Sequence, residues 1–224
     1  MRIVIINGSP RKNGATFGVL SYFGEYLKNN FPGTDVEFIN LVDLNIKHCV
    51  GCKNCYKTGH CALKGDGVEA VHDAIKNCDG LVWGSPTYAS NVSGLFKDFH
   101  DRVHMTMEQL LYKKPCVNVT TYENAMGNKT LGVMREMVMN AGGYNARSVA
   151  IKNPFNHDAL EGNRAKIEET ARRFIEKTAK NKAPLLSKIY TAVAVNVFLK
   201  PFVYGDKENN RAIIDNWKEK KIVK

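Results

Sequence analysis

The sequence is short of what several function classes require. Proline and glycine, 7 and 18 of 224 residues, are too few for a low-complexity or collagen-like chain, and 44% hydrophobic residues exclude general disorder. The apolar run at residues 3–6 is too short for a secretory leader and no small-residue cleavage pattern follows it, so a cytoplasmic location is expected. The uncharged run at residues 189–199 has eleven residues, whereas a bilayer span takes about 20, and no membrane partner is expected. There is no Gly-Lys-Ser/Thr ending and no Gly-x-Gly-x-x-Gly, the loops that would hold ATP or a dinucleotide. Zinc-finger spacing and an RNP-type aromatic motif are also missing, so the net charge of +10 does not read as a nucleic-acid interface. Residues 161–224 carry 15 Lys/Arg against 8 Asp/Glu, which reads as a solvated basic helix face.

What is present is an alternation of short apolar runs with longer segments of helical period. The runs lie at residues 3–7, 36–41, 81–84, 116–120 and 144–151; the helical segments lie at 16–29, 68–76, 94–107, 129–140 and 160–182. Strict alternation predicts an α/β chain, an open five-stranded parallel sheet with helices on both faces, over residues 1–183. Pro184 breaks the pattern, and residues 184–224 are expected to form a helical or extended C-terminal arm that contacts another subunit.

In such a sheet, ligands bind beyond the carboxyl ends of the strands. Three loops there carry suitable chemistry. Asn7-Gly8-Ser9-Pro10-Arg11-Lys12-Asn13-Gly14-Ala15-Thr16 offers a phosphate the hydroxyls of Ser9 and Thr16, Arg11, the Asn13 amide, backbone N–H groups near Gly14 and a helix N-terminus. The loop at Pro86, Thr87, Tyr88 and Asn91 supplies a stiff edge and a ring, and Thr121, Tyr122, Glu123 and Asn124 form the third loop. Each alone could be an ordinary polar turn, with Thr16 as a helix N-cap; together they describe a cradle for flavin mononucleotide (FMN).

Cys49, Cys52, Cys55 and Cys61 fall in a loop spanning residues 47–64. Four thiols this close suit ligation of one [4Fe–4S] cluster; metal-free thiols, zinc and disulfides remain open from spacing alone. Lys47, Lys53, Lys57 and Lys64 would offset the cluster's charge and attract an acidic partner. His48 and His60 flank the run as substitute ligands. Cys78 and Cys116 sit at apolar strands and are expected in the core. His100 and His104, spaced i, i+4 on the helix expected over 94–107, lack a third ligand in the sequence.

These residues resemble the NADPH-dependent FMN reductase branch of the flavodoxin-like superfamily, and specifically its iron–sulfur flavoproteins. The resemblance covers about residues 1–180 and rests on Gly8-Ser9-Pro10-Arg11-x-x-Gly14-x-Thr16, on Gly84-Ser85-Pro86-Thr87-Tyr88 followed by Lys97 and Asp101-Arg102, and on the cysteine run. Two places depart from it: Ala89-Ser90, where relatives often have a large aromatic and Gly, and Gly65-Asp66-Gly67, where they often have Asp-Asp-Met. The resemblance implies a flavodoxin-like fold, noncovalent FMN and a homodimer or homotetramer, with the cluster near a flavin. It implies electron transfer with a ferredoxin-like donor or a small-molecule acceptor. Without the cluster, it implies an NAD(P)H-dependent reductase of FMN, quinones or nitro compounds. A zinc or thiol redox sensor is the expectation of a different class.

Overall fold

A computed structural model describes residues 1–154 and 157–223. Strands β1 (Arg2–Asn7), β2 (Asp35–Asn40), β3 (Gly80–Pro86), β4 (Pro115–Tyr122) and β5 (Tyr144–Lys152) pair in parallel in the order β2-β1-β3-β4-β5. This is the flavodoxin-like order, whose winding direction switches between β1 and β3. Every strand expected from the apolar runs is present, and β3 and β4 each run two residues further, to Pro86 and Tyr122. Their carboxyl ends therefore carry the second and third loops directly.

The helices are α1 (Ala15–Asn30), α2 (Asn54–Thr58), α3 (Val68–Asn77), α4 (Gly94–Arg102), α5 (Met105–Glu108), α6 (Gly127–Asn140), α7 (Arg164–Lys180), α8 (Leu185–Val193), α9 (Lys200–Gly205) and α10 (Arg211–Glu219). Side chains alternate across the sheet. Ile3, Ile5, Val82 and Val117 pack under α1 and α7 through Leu20, Phe23, Ala171 and Phe174. Val4, Ile6, Leu81 and Trp83 pack against α3, α4 and α6 through Ile75, Phe96, Phe99 and Met134. Cys78 and Cys116 are buried, as expected, and burial pushes both thiols up.

Two expectations need correction. The helix expected over 94–107 is broken: α4 ends at Arg102, His104 takes a left-handed φ of +40°, and α5 starts afresh at Met105. No glycine or proline marks this break, so periodicity reads through it. The second concerns the length of the uncharged run; the C-terminal arm itself is helical, as expected. A continuous helix, Leu185–Gly205, runs for 21 residues through α8, a π-helical stretch (Ala194–Leu199) and α9. It passes through Lys188 and Lys200, which bound the eleven-residue uncharged run without ending the helix, and by length and composition it is sufficient to cross a membrane. Its buried side, Val195 and Val203, joins Ile213, Ile214 and Trp217 of α10 in a third cluster that packs on Tyr56 and Met107. The arm thus rests on the cysteine loop and α5.

Candidate functional site

The first loop is held by its backbone. Gly8 N donates to Gly84 O (2.8 Å), and a Cβ at Gly8 would lie 2.4 Å from Phe96 Cδ2. Ser93 Oγ donates to Gly8 O (2.6 Å) and accepts from Phe96 N (3.1 Å), so the residue that caps α4 also pins the loop. Ser9 is buried; its Oγ accepts from Arg11 N (3.1 Å) and donates to Arg11 O (3.2 Å). Gly14, not Thr16, is the N-cap of α1, and no side chain caps it. The first-turn N–H groups are therefore left to a ligand or water, as an anion site requires. Thr16 is buried with its hydroxyl 2.8 Å from Thr121 Oγ1, which ties the first loop to the third.

The second loop reverses in two residues. Tyr88 N donates to Asn91 O (2.9 Å) and Asn91 N to Tyr88 O (3.0 Å), with Ala89 and Ser90 at φ +47° and +66°. A pair of left-handed residues is the hairpin geometry that favours Gly or Asn, so this tip is strained. Thr87 N donates to Thr121 O (2.8 Å), linking the second and third loops. In the third loop, Gly127 passes beneath Tyr122, where a Cβ would meet the ring at 2.4 Å.

These ties produce one cleft of about 370 Å³, lined by Arg11, Pro86, Thr87, Tyr88, Thr121, Tyr122, Glu123 and Asn124 together with Asn153 and Met126. Ser9, Asn13, Gly14 and Thr16 lie in the adjoining phosphate-type loop, outside the lining, and Asn91 lies behind the hairpin tip. The volume falls within the range of small-molecule and cofactor sites, about 300–1,000 Å³. Open backbone N–H groups at one end and aromatic edges at the other fit the two halves of FMN.

In the cysteine loop, Cys49 and Cys52 are exposed, Cys55 is half-buried and Cys61 is buried. Gly51 and Lys53 turn the chain at φ +65° and +57°, and the unexpected short helix α2 carries Cys55. Burial, together with the nearby Cys61, pushes the Cys55 thiol up to about 12, so a ligand role requires a metal to displace its proton. Arg102 threads the loop with a side chain wholly out of solvent. Its Nε donates to Cys61 Sγ (3.2 Å), Nη1 to Lys47 O and Asp66 Oδ2 (both 2.8 Å), and Nη2 to Leu63 O (3.2 Å). Glu69 Oε1 accepts from Cys61 N (2.6 Å), and its other oxygen meets His60 (2.9 Å). The residue types are those of a cluster site, four thiols on one loop with Cys61 already receiving a charged hydrogen bond, although their sulfur atoms do not converge. Cys49 and Cys55 open on a cleft of about 300 Å³ that shares no residue with the first. The lysines are partly engaged: Lys47 Nζ donates to Lys64 O (2.8 Å), and Lys53 Nζ sits 5.7 Å from the Phe202 ring centroid.

Among the described residues, the set whose ligand atoms converge within 4.8 Å is His72, His104 and Glu108, not the cysteines. His104 thus has the partners that the sequence does not show, while His100 stands apart near Trp83. Arg102 and Asp66 enter the sequence reading only through the resemblance, without a role, and Ser93 does not enter it at all; the structure gives all three a part in holding these loops. Asp66 between two glycines, and a serine immediately before a helix, were the available signals.

A profile of the NADPH-dependent FMN reductase family matches residues 1–156. An iron–sulfur flavoprotein of Clostridioides difficile (strain 630) is 45% identical over the full length of both chains. One from Archaeoglobus fulgidus is 39% identical over 47% of this chain and 50% of its own. Among solved structures, an apo NADH:FMN oxidoreductase aligns at 19% identity and TM-score 0.59 over 83% of this chain and 92% of that one. An FMN-dependent NADH-azoreductase of Bacillus anthracis in complex with FMN aligns at 16% and TM-score 0.59 over 77% and 99%. The two structures speak to the fold; the profile and the full-length relative speak to the family. The chain belongs to the NADPH-dependent FMN reductase family of flavodoxin-like, FMN-dependent oxidoreductases, with the iron–sulfur flavoproteins as its relatives.

Proposed function

We propose that the protein is an iron–sulfur flavoprotein that moves electrons between a [4Fe–4S] cluster on Cys49, Cys52, Cys55 and Cys61, FMN, and a ferredoxin-like or small-molecule partner. The observation that carries the flavin half is the cleft at the ends of β1, β3 and β4, adjoining a helix N-terminus that no side chain caps. When bound, FMN supplies the redox chemistry, exchanging electrons with the cluster or accepting hydride from NAD(P)H. The chain's own residues bind and orient. Ser9, Arg11, Asn13 and Thr16 take the phosphate, and Pro86–Tyr88 with Thr121–Asn124 flank the ring. No side chain is assigned as a general acid or base.

Arg11→Ala is expected to weaken FMN binding by about 1.5–3 kcal/mol, the worth of a hydrogen bond to a charged group, or roughly ten- to a hundredfold. Fluorescence titration checks it, and an unchanged affinity would remove Arg11 from the site. Serine at each of the four cysteines in turn is expected to abolish iron binding while FMN affinity stays. Iron retained in all four variants would remove these cysteines as its ligands, whereas a parent protein that binds FMN and holds no iron would favour the cluster-free NAD(P)H-dependent reductase.

The outer side of helix Leu185–Gly205 presents Leu186, Ile189, Val193, Val197 and Phe198 to solvent. We assign this face to a second copy of the chain, in a homodimer or homotetramer. Phe198→Glu is then expected to sediment as monomer; a variant that keeps the wild-type mass would contradict the assignment.

A further inference from the structure

Between α3 and α5 lies a group of side chains that neither the flavin cleft nor the cysteine ligands use. His72 projects from α3, His104 stands at the break before α5, and Glu108 ends α5; all three are buried. The carboxylate is divided between the imidazoles, with Oε2 2.8 Å from His72 Nε2 and Oε1 2.9 Å from His104 Nδ1. The two rings lie 4.8 Å apart, centroid to centroid.

A plain hydrogen-bonded network leaves three features unexplained. His104 Nδ1 is buried, and its 2.9 Å contact with Glu108 Oε1 does not make a well-formed hydrogen bond. The His104 backbone is held at φ +40°, an unfavourable conformation that points this ring toward His72 and Glu108. Among the described residues no arginine or lysine side chain pairs with the Glu108 carboxylate; Lys220 Nζ bonds the carbonyls of Glu108 and Gln109 instead (3.3 and 3.2 Å).

We propose that His72, His104 and Glu108 bind one divalent first-row transition cation of the zinc type, with no cysteine among its ligands, beside the cleft that His104 lines together with Cys49 and Cys55. Two imidazole nitrogens and one carboxylate oxygen are a recognised donor set for such an ion, with a fourth position left to water. Calcium or magnesium would find too few oxygens. The ion would take up the idle His104 nitrogen and replace the poorly formed contact with a bond. Contacts around the ligands suit the role. His72 Nδ1 lies 3.4 Å from Asp73 Oδ1, the carboxylate–histidine arrangement that leaves Nε2 free to ligate. The C-terminal helix α10 steadies the Glu108 segment: Asn216 Nδ2 donates to Glu108 O, and Trp217 Nε1 donates to Met107 O (2.8 Å). The arm therefore serves the metal site as well as the subunit contact.

The test uses the full-length chain with Cys49, Cys52, Cys55 and Cys61 all changed to Ser, stripped with chelator and titrated with Co²⁺ or Zn²⁺ alone. The expected result is one equivalent of Co²⁺ with the visible bands of a tetrahedral nitrogen and oxygen site, without sulfur-to-cobalt charge transfer, and displacement by Zn²⁺. His104→Ala and Glu108→Gln should each weaken binding by more than about a hundredfold, and Asp73→Asn by roughly tenfold. FMN binding, which these residues do not touch, reports whether each variant has folded. Absence of stoichiometric binding by the parent chain would overturn the proposal whatever the variants do. Equal affinity in folded His104→Ala and Glu108→Gln would overturn it as well. Since the cluster ligands are gone from this chain, its failure leaves the flavin and cluster reading intact, and the converse holds.

Discussion

Arg102→Met is expected to cost about 3–5 kcal/mol of folding stability, because it strands Asp66 as a buried charge without its partner. Both side chains are almost wholly out of solvent, and the guanidinium also satisfies Lys47 O, Leu63 O and the Cys61 sulfur. Methionine fills the volume and meets none of these acceptors. Urea unfolding measures the cost, and a loss below about 1 kcal/mol would put the pair in the class of surface ion pairs. The double variant Arg102→Met/Asp66→Leu should recover part of the loss, since removing both charges also removes the uncompensated one. The pair has a pH signature too. Burial pushes the Asp66 carboxyl up, but the Arg102 guanidinium and the backbone N–H groups of Lys47 and Val68 outweigh it and hold the group below its ordinary 3.8. The folded state therefore takes up this proton at lower pH than the unfolded chain does. The stabilisation is complete above about pH 4 and is lost as the pH falls through the depressed value. Asp66→Asn should flatten that acid limb.

Gly8→Ala should be the most damaging small change in the flavin cleft. The added methyl would sit 2.4 Å from a ring carbon of Phe96 and 3.0 Å from Gly84 O, and Phe96 is fully buried with nowhere to move. Overpacking of this kind costs about 1–3 kcal/mol, and the strain can be relieved only by shifting the loop that carries Ser9 and Arg11. FMN affinity is expected to fall on the order of ten- to a hundredfold, with a parallel loss in thermal stability. Wild-type affinity in Gly8→Ala would show that the loop does not need its close seat on β3 and α4.

Much of this architecture can be read from the chain. Ile3 to Ile6 are all buried because a parallel strand with helices on both faces has no polar side, so an uninterrupted apolar run identifies it. The three loops are legible because each follows such a run. What the sequence hides are reversals of side-chain direction. Arg102 follows Lys97 and Asp101, which form an exposed i, i+4 ion pair (2.6 Å), and a charged residue at the end of such a helix reads as solvent-facing. It points inward because the 47–66 segment folds over α4, a long-range event that leaves no local mark. His104 is similar. The break at Val103 and His104 lacks a turn residue, and the partner His72 lies on another helix, so the grouping exists only once α3 and α5 pack together. The C-terminal helix is longer than its uncharged run because a lysine ends the run at each side without ending the helix.

Whether FMN and a [4Fe–4S] cluster share this chain is decided by an anaerobic absorption spectrum of the purified protein before and after dithionite, with iron, acid-labile sulfide and FMN quantified on the same sample. The expected result is flavin bands over a broad absorbance that dithionite bleaches, with about four irons and four sulfides for each chain and FMN. A protein that binds FMN but holds no iron or sulfide, even after anaerobic reconstitution, would contradict it.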